Sequence, residues 1–166
     1  MQELAITVIG PDRAGIVADI TEALAGVGAN LTDSTMTRLR GHFAMTLICN
    51  GSTVEQAAQA LEPTGLVATV RKVEPDNSGG NPGDPYILSV HGVDRLGIVA
   101  AVTRVVASAG GNITDLTTRL TGPLYVLVAE VDLPDNAADQ LAAQLAVAGS
   151  ELGVDVTLRR AESEIL

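Results

Sequence analysis

GPDRAGIVADITEALAGVGANLTD, residues 10–33, and GVDRLGIVAAVTRVVASAGGNITD, residues 92–115, are one segment written twice, 82 positions apart and identical at 13 of 24 places. The identities include Asp12/Asp94, Arg13/Arg95, Gly15/Gly97, Thr21/Thr103, Gly28/Gly110, Asn30/Asn112 and Asp33/Asp115. Farther on, Thr-Arg-Leu at Thr37 answers Thr-Arg-Leu at Thr118, as if the offset had slipped to 81. A short repeat used many times signals a solenoid, whereas two copies of about 80 residues signal duplicated domains. Between the copies runs EPDNSGGNPGDP, Glu74 to Pro85, with almost nothing apolar, which reads as a linker. The expected organisation is a first domain at 1–74, a linker at 75–85 and a second domain at 86–166. The linker's Gly-Gly-Asn-Pro-Gly does not read as a phosphate loop, because no strand leads in, no helix signal follows and no lysine is near.

Within each copy the apolar period changes. Leu4 to Ile9 alternates as a strand does, and then Ile16, Ile20, Ala23, Leu24 and Val27 recur at helical spacing. The second copy answers with Ile98, Val102, Val105, Val106 and Ala109. Gly28 and Gly110 are placed to end these helices in a left-handed residue. Two β-rich stretches follow, Asn30 to Arg40 and His42 to Asn50, hinged at Gly41; their counterparts are Asn112 to Thr121 and Leu124 to Asp132, hinged at Gly122-Pro123. Ser52 and Glu55 have the spacing of a capping box before a helix with Val54, Ala57, Ala58 and Leu61 on its apolar face. The matching helix is expected to start near Asp135 or Asn136 and to bury Leu141, Ala142 and Leu145. Leu66 to Val73 and Val154 to Arg160 close the copies as strands.

The order is βαββαβ, twice. The economical packing is α+β: two ferredoxin-like units, each an antiparallel sheet with both helices on one face. The third strands, FAMTLIC and LYVLVAEV, are apolar on both parities. A sheet with one wet face alternates more cleanly, so the second face or the edge is expected to be covered by the sister domain, a second chain, or both.

Composition narrows the function. Hydrophobic residues at 46% against 18% charged exclude a disordered chain. Net charge −10 and the lack of a basic run argue against direct nucleic-acid binding. One cysteine, Cys49, forbids an internal disulfide, and two histidines rule out a Cys/His zinc cluster, so no metal or other cofactor is expected. The single lysine, Lys72, lies in no P-loop string. Met1 to Ile9 has no signal-peptide pattern and no apolar run reaches the length of a membrane span, so a soluble cytoplasmic protein is expected.

Asp-Arg-x-Gly stands where the first strand hands over to the first helix, in both copies. One reading is purely structural: Asp caps the helix and Gly lets the turn fold tightly. The other adds a ligand. A helix N-terminus offers unpaired N–H donors and partial positive charge, which suit a carboxylate, and a glycine lets the ligand come close. Asn30 and Asn112, opening the second strands, can accept from an ammonium group, although Asn beside Gly also serves as a plain turn residue. In this fold the loop and the start of the second strand are expected to lie close together, and an amino acid fits their chemistry.

These two segments resemble the opening of ACT domains, the small amino-acid-sensing modules, and the resemblance covers nearly the whole chain outside the linker. Their DRxGIVAxVT…GxNIxD pattern is similar to that of glycine cleavage system regulatory proteins, which are also two ACT domains with little else. It is similar, too, to the N-terminal ACT modules of formyltetrahydrofolate deformylases and phosphoserine phosphatases. The resemblance implies ligand sites at domain or subunit interfaces, built from Asp12, Arg13, Ala14, Gly15, Ile16, Asn30 and Leu31, and from Asp94, Arg95, Leu96, Gly97, Ile98, Asn112 and Ile113. Many ACT loops carry Pro before the glycine; Ala14 and Leu96 stand there instead, so the two sites need not be equivalent. Glycine or serine is the ligand the resemblance implies.

Catalysis finds no support. Cys49 and His42 are seven residues apart on one strand and so point to opposite faces. His91 replaces Ile9 of the first copy and reads as a solvated strand-end residue. Asp132 and Asp135 flank a helix start and read as caps. The expectation is a regulatory module that binds a small amino acid, forms a homodimer or higher oligomer, and acts on a protein partner. The competing expectation is a dimeric interaction subunit that has lost its ligand.

Overall fold

The computed structural model describes residues 2–76 and 83–162. The chain forms two compact units, Met1–Ser78 and Gly79–Leu166. Most of the expected linker, 77–82, lies outside the described residues.

The first unit runs β1 (Glu3–Pro11), α1 (Ile16–Gly26), β2 (Asn30–Leu39), β3 (His42–Asn50), α2 (Val54–Leu61), a 3-10 turn at Glu62–Thr64 and β4 (Val67–Val73). The second runs β5 (Asp84–Val93), α3 (Ile98–Ser108), β6 (Asn112–Thr121), β7 (Leu124–Leu133), α4 (Ala138–Leu152) and β8 (Val154–Arg160). Strand order is β2-β3-β1-β4 in one sheet and β6-β7-β5-β8 in the other, antiparallel throughout. Two α+β units of the ferredoxin-like βαββαβ kind are thus present, as the periodicity implies.

One parity of each central strand makes the core. Leu4, Ile6 and Val8 of β1 and Phe43, Met45, Leu47 and Cys49 of β3 are buried with Ile16, Ile20 and Leu24 of α1 and Ala57 and Leu61 of α2. Burying one such large side chain stabilises by roughly 1.5–3 kcal/mol. The second unit repeats this with Leu88 and Val90, then Leu127, Ala129, Val131 and Leu133, under Val102, Val106, Leu141 and Leu145. Ala58 and Ala142, expected on the apolar helix faces, are exposed. On the opposite face of β7, Leu124 and Val128 remain 47% and 42% exposed. Gly149 lets α4 lie close over β8: a Cβ there would stand 2.8 Å from the Val156 side chain and 2.9 Å from the Val154 carbonyl oxygen.

The helix ends follow from local chemistry. Gly28 and Gly110 have φ of 80° and 79°. Gly28 N–H donates to the Ala25 carbonyl and Ala29 N–H to the Leu24 carbonyl, both at 3.0 Å, the paired bonds of a Schellman stop. Gly110 and Gly111 repeat it on Ala107 and Val106. The capping box of α2 sits one residue later than Ser52/Glu55. Thr53 Oγ1 accepts from the Gln56 N–H at 3.2 Å, and Gln56 Oε1 accepts from the Thr53 N–H at 3.1 Å. Both pairs satisfy the sequence rule, but Ser52 is buried and its hydroxyl donates to the Thr53 carbonyl, leaving Thr53 as the extended residue at the helix entry. Helix α4 begins at Ala138 with no side-chain cap, because Asn136 takes the left-handed conformation at φ 65° and is spent on a turn. Asp135 is therefore no cap.

Strand register corrects the apparent slip of the repeat. Leu39 faces His42 and Thr121 faces Leu124, while Pro11 and Val93 face those same two residues. The offset therefore stays at 82 across both hairpins. The two Thr-Arg-Leu strings are out of step by one residue, so Arg38 lies opposite Phe43 on the helix-covered face and Arg119 lies opposite Val126 on the other. The residue standing in Arg38's place is Leu120.

Gly51 and Gly41 give a graded test. Both have positive φ, 94° and 82°, but a Cβ on Gly51 would collide with the Gly28 carbonyl oxygen, whereas one on Gly41 meets nothing within 4 Å. Gly41→Ala is expected to cost about 1 kcal/mol, and Gly51→Ala distinctly more, in urea unfolding followed by circular dichroism.

Candidate ligand-binding site

Each loop enters its helix through the glycine. Gly15 at φ 80° and Gly97 at φ 89° are the residues before α1 and α3, and no side chain caps either helix. The first helical bonds are Asp19 N–H to the Gly15 carbonyl at 2.9 Å and Ala101 N–H to the Gly97 carbonyl at 3.0 Å. The N–H groups ahead of these start with no carbonyl of their own helix to meet. A Cβ on either glycine would meet nothing within 4 Å, so the approach is open. Asp12 and Asp94 do not serve as caps. Asp12 Oδ2 instead forms an ion pair with Arg38 Nη1 at 3.5 Å, and the Asp12 N–H donates to the Gly41 carbonyl at 3.0 Å. Ile16 and Ile98 are buried and root the loops in the two cores.

The loop and the second-strand start are not neighbours within one unit. Asn30 and Glu3 both pair with Asn50, whereas Pro11, which leads into the loop, pairs with His42. Eight residue steps of strand separate Asn50 from His42, about 26 Å at roughly 3.3 Å each. Asn112 likewise pairs with Asp132, and Val93 with Leu124. The expectation that the two halves adjoin in this fold is corrected: Asn30, Leu31, Asn112 and Ile113 sit at the opposite end of the sheet from their own unit's loop. Antiparallel pairing of β1 with β3 dictates this, because β2 starts where β3 ends. Each second strand also carries a bulge after Leu31 or Ile113, where Thr32 and Thr114 hydroxyls donate to the Ile48 and Glu130 carbonyls at 3.2 and 3.4 Å.

The two loops differ in charge. In the first, Arg13 Nη1 pairs with Asp19 Oδ2 at 2.8 Å while Arg38 takes Asp12, so both loop charges are met. In the second, Ala101 stands for Asp19 and Leu120 for Arg38. Among the described residues no ion pair involves Asp94 or Arg95. Arg95 Nη1 donates to the Glu151 carbonyl at 3.4 Å, at the C-terminal end of α4, where a cation is favoured. Beside this loop lies an open pocket of about 420 Å³, whose lining includes Asp94, Arg95, Leu96, Gly97, Ile98 and Tyr125.

The catalytic candidates stay apart. Cys49 is buried, and burial pushes its thiol up from the ordinary value. His42 is exposed at the far end of β3. His91 Nε2 lies 3.2 Å from Asp155 Oδ2 on neighbouring strands, both exposed. No cluster of His, Cys, Asp or Glu among the described residues could hold a metal ion, and no helix among them is long and apolar enough to cross a membrane.

The chain belongs to the ACT domain family, whose model matches residues 2–65 and again residues 85–159. ACT domains generally bind amino acids in regulatory roles. A crystal structure of an unknown protein from Galdieria sulphuraria is similar over 97% of this chain and 99% of its own, at 33% identity and a TM-score of 0.81. A candidate glycine cleavage system transcriptional repressor shares the fold over 98% of both chains, at 19% identity and a TM-score of 0.68. A UPF0237 protein of Methanopyrus kandleri is 39% identical over 75 residues, 44% of this chain and 83% of its own.

The buried, protonated thiol of Cys49 makes a direct prediction. A thiolate is the reactive form, so a disulfide reagent at neutral pH is expected to label native protein far more slowly than urea-unfolded protein, read as released chromophore with time. Equal rates would contradict the burial.

Proposed function

We propose that this protein is an amino-acid-sensing regulator rather than an enzyme, binding its ligand at ACT interfaces and acting through a protein partner. One observation carries the reading. Both copies open their first helix on a left-handed glycine, with no side chain on the helix N-terminus and open space in front of it. A ligand carboxylate satisfies those N–H groups. Asn30 and Asn112 then act from a neighbouring molecule. β2 and β6 are outer strands of their sheets, and two such edges running antiparallel bring the start of one strand to the loop end of the other. The ligand ammonium meets the Asn there, and dimerisation becomes part of the site. Glycine and serine are the first ligands to test. Likeness to a candidate glycine cleavage repressor supports a role in glycine cleavage or one-carbon metabolism. With net charge −10, any effect on transcription runs through the partner protein and not through contact with DNA.

A thermal-shift screen of the twenty amino acids tests this. A ligand at about 100 times its Kd adds roughly 2.7 kcal/mol to the native state. Asn30→Ala or Asn112→Ala removes hydrogen bonds to a charged ligand, worth roughly 1.5–3 kcal/mol, so calorimetry is expected to show about ten- to hundred-fold weaker binding with folding little changed. If no amino acid shifts the melting curve, the chain is a ligand-free interaction subunit. Light scattering is expected to show a dimer; a mass of 17.0 kDa, that of one chain, contradicts it. Sequence-selective, sub-micromolar binding in a gel shift at physiological salt would overturn the exclusion of DNA.

A further inference from the structure

We propose that the two loops have parted in function: the second unit's loop binds an α-amino acid with an aliphatic side chain, and the first unit's loop binds none. This rests on the amino-acid reading above and adds which copy binds and what side chain it takes. Four aligned replacements carry it. Ala101 for Asp19 and Leu120 for Arg38 remove the two groups that neutralise the first loop, where Arg13–Asp19 and Arg38–Asp12 pair at 2.8 and 3.5 Å. Those pairs compete with any zwitterion for the same charges. In the second loop Asp94 and Arg95 lack carboxylate and cationic partners among the described residues. They offer the complement of an amino acid: a carboxylate that joins the neighbouring molecule's Asn in holding the ammonium, and a guanidinium beside a helix N-terminus for the carboxylate.

The other two replacements set the side chain. Phe43 is fully buried in the first unit, whereas Tyr125 in the matching place lines the second unit's pocket. Leu96, where the first loop has Ala14, lines the same pocket and is 100% exposed. An aliphatic ligand side chain would lie between this leucine and the tyrosine ring. The volume, about 420 Å³, falls in the range of small-molecule sites, roughly 300–1,000 Å³.

Calorimetry of the full chain with L-valine, L-leucine, glycine and L-serine decides it. The expected result is one site per chain, at least ten-fold tighter for valine or leucine than for glycine. Ala101→Asp with Leu120→Arg, which installs the first loop's compensating charges, is expected to weaken binding ten-fold or more. Leu96→Ser, at a side chain the fold does not bury, is expected to weaken leucine binding more than it weakens glycine binding, so the test survives if the double variant fails to fold. Two equal sites per chain, glycine binding tighter than valine, or a Leu96→Ser variant that binds leucine as before would overturn this inference and leave the amino-acid reading standing. If none of the four binds and the twenty-amino-acid screen is also flat, both fall.

Discussion

Burial of the middle strand under the first helix is the interaction on which the rest hangs. Leu4, Ile6 and Val8 have no exposure, and they share a core with Ile16, Ile20 and Leu24. β1 pairs with β3 on one side and β4 on the other, so it fixes where both neighbours run. The chain must leave β1 and turn back over the sheet within four residues, Asp12 to Gly15. The left-handed glycine permits that reversal, and the same glycine leaves the helix start bare. Fold and candidate site thus share one local conformation.

The hairpin shows how much one residue of register can do. Thr-Arg-Leu occurs in both copies, yet the two arginines lie on opposite faces of their sheets. Arg38 reaches Asp12; Arg119 faces away from the loop that Asp94 begins. Sequence identity here conceals a structural difference. A surface ion pair is worth at most about 1 kcal/mol to stability, so the loss of Arg38's counterpart would cost the second unit little fold while changing the charge its loop presents.

Much of this was legible in the residues. The 82-residue repeat, the switch of period from two to helical spacing, and the glycine stops at Gly28 and Gly110 define the βαββαβ order, because each reflects local chemistry. Cap positions were legible only to within a residue: Ser52-x-x-Glu55 and Thr53-x-x-Gln56 both fit the rule, and burial of Ser52 decides between them. Asn136 taking a left-handed turn, and so delaying α4, depends on backbone geometry that composition does not reveal. The candidate site was half legible. The loops could be read from Asp-Arg-x-Gly. The placement of Asn30 and Asn112 could not, because which end of a sheet a strand start occupies depends on pairing across the fold. The contrast between Arg38 and Leu120 was hidden for the same reason.

A duplicated chain faces a sorting problem as it emerges from the ribosome. Its openings match at 13 of 24 positions, so either first helix could be tried against either sheet, and exchange of like elements is a recognised failure of repeat proteins. Gly149 counters it. With a glycine at that one turn, α4 settles against Val154 and Val156 at a distance no side chain allows. The α2 helix, VEQAAQAL, has no glycine, so a side chain brought to that turn would meet Val154 and Val156 and hold the helix away from β8.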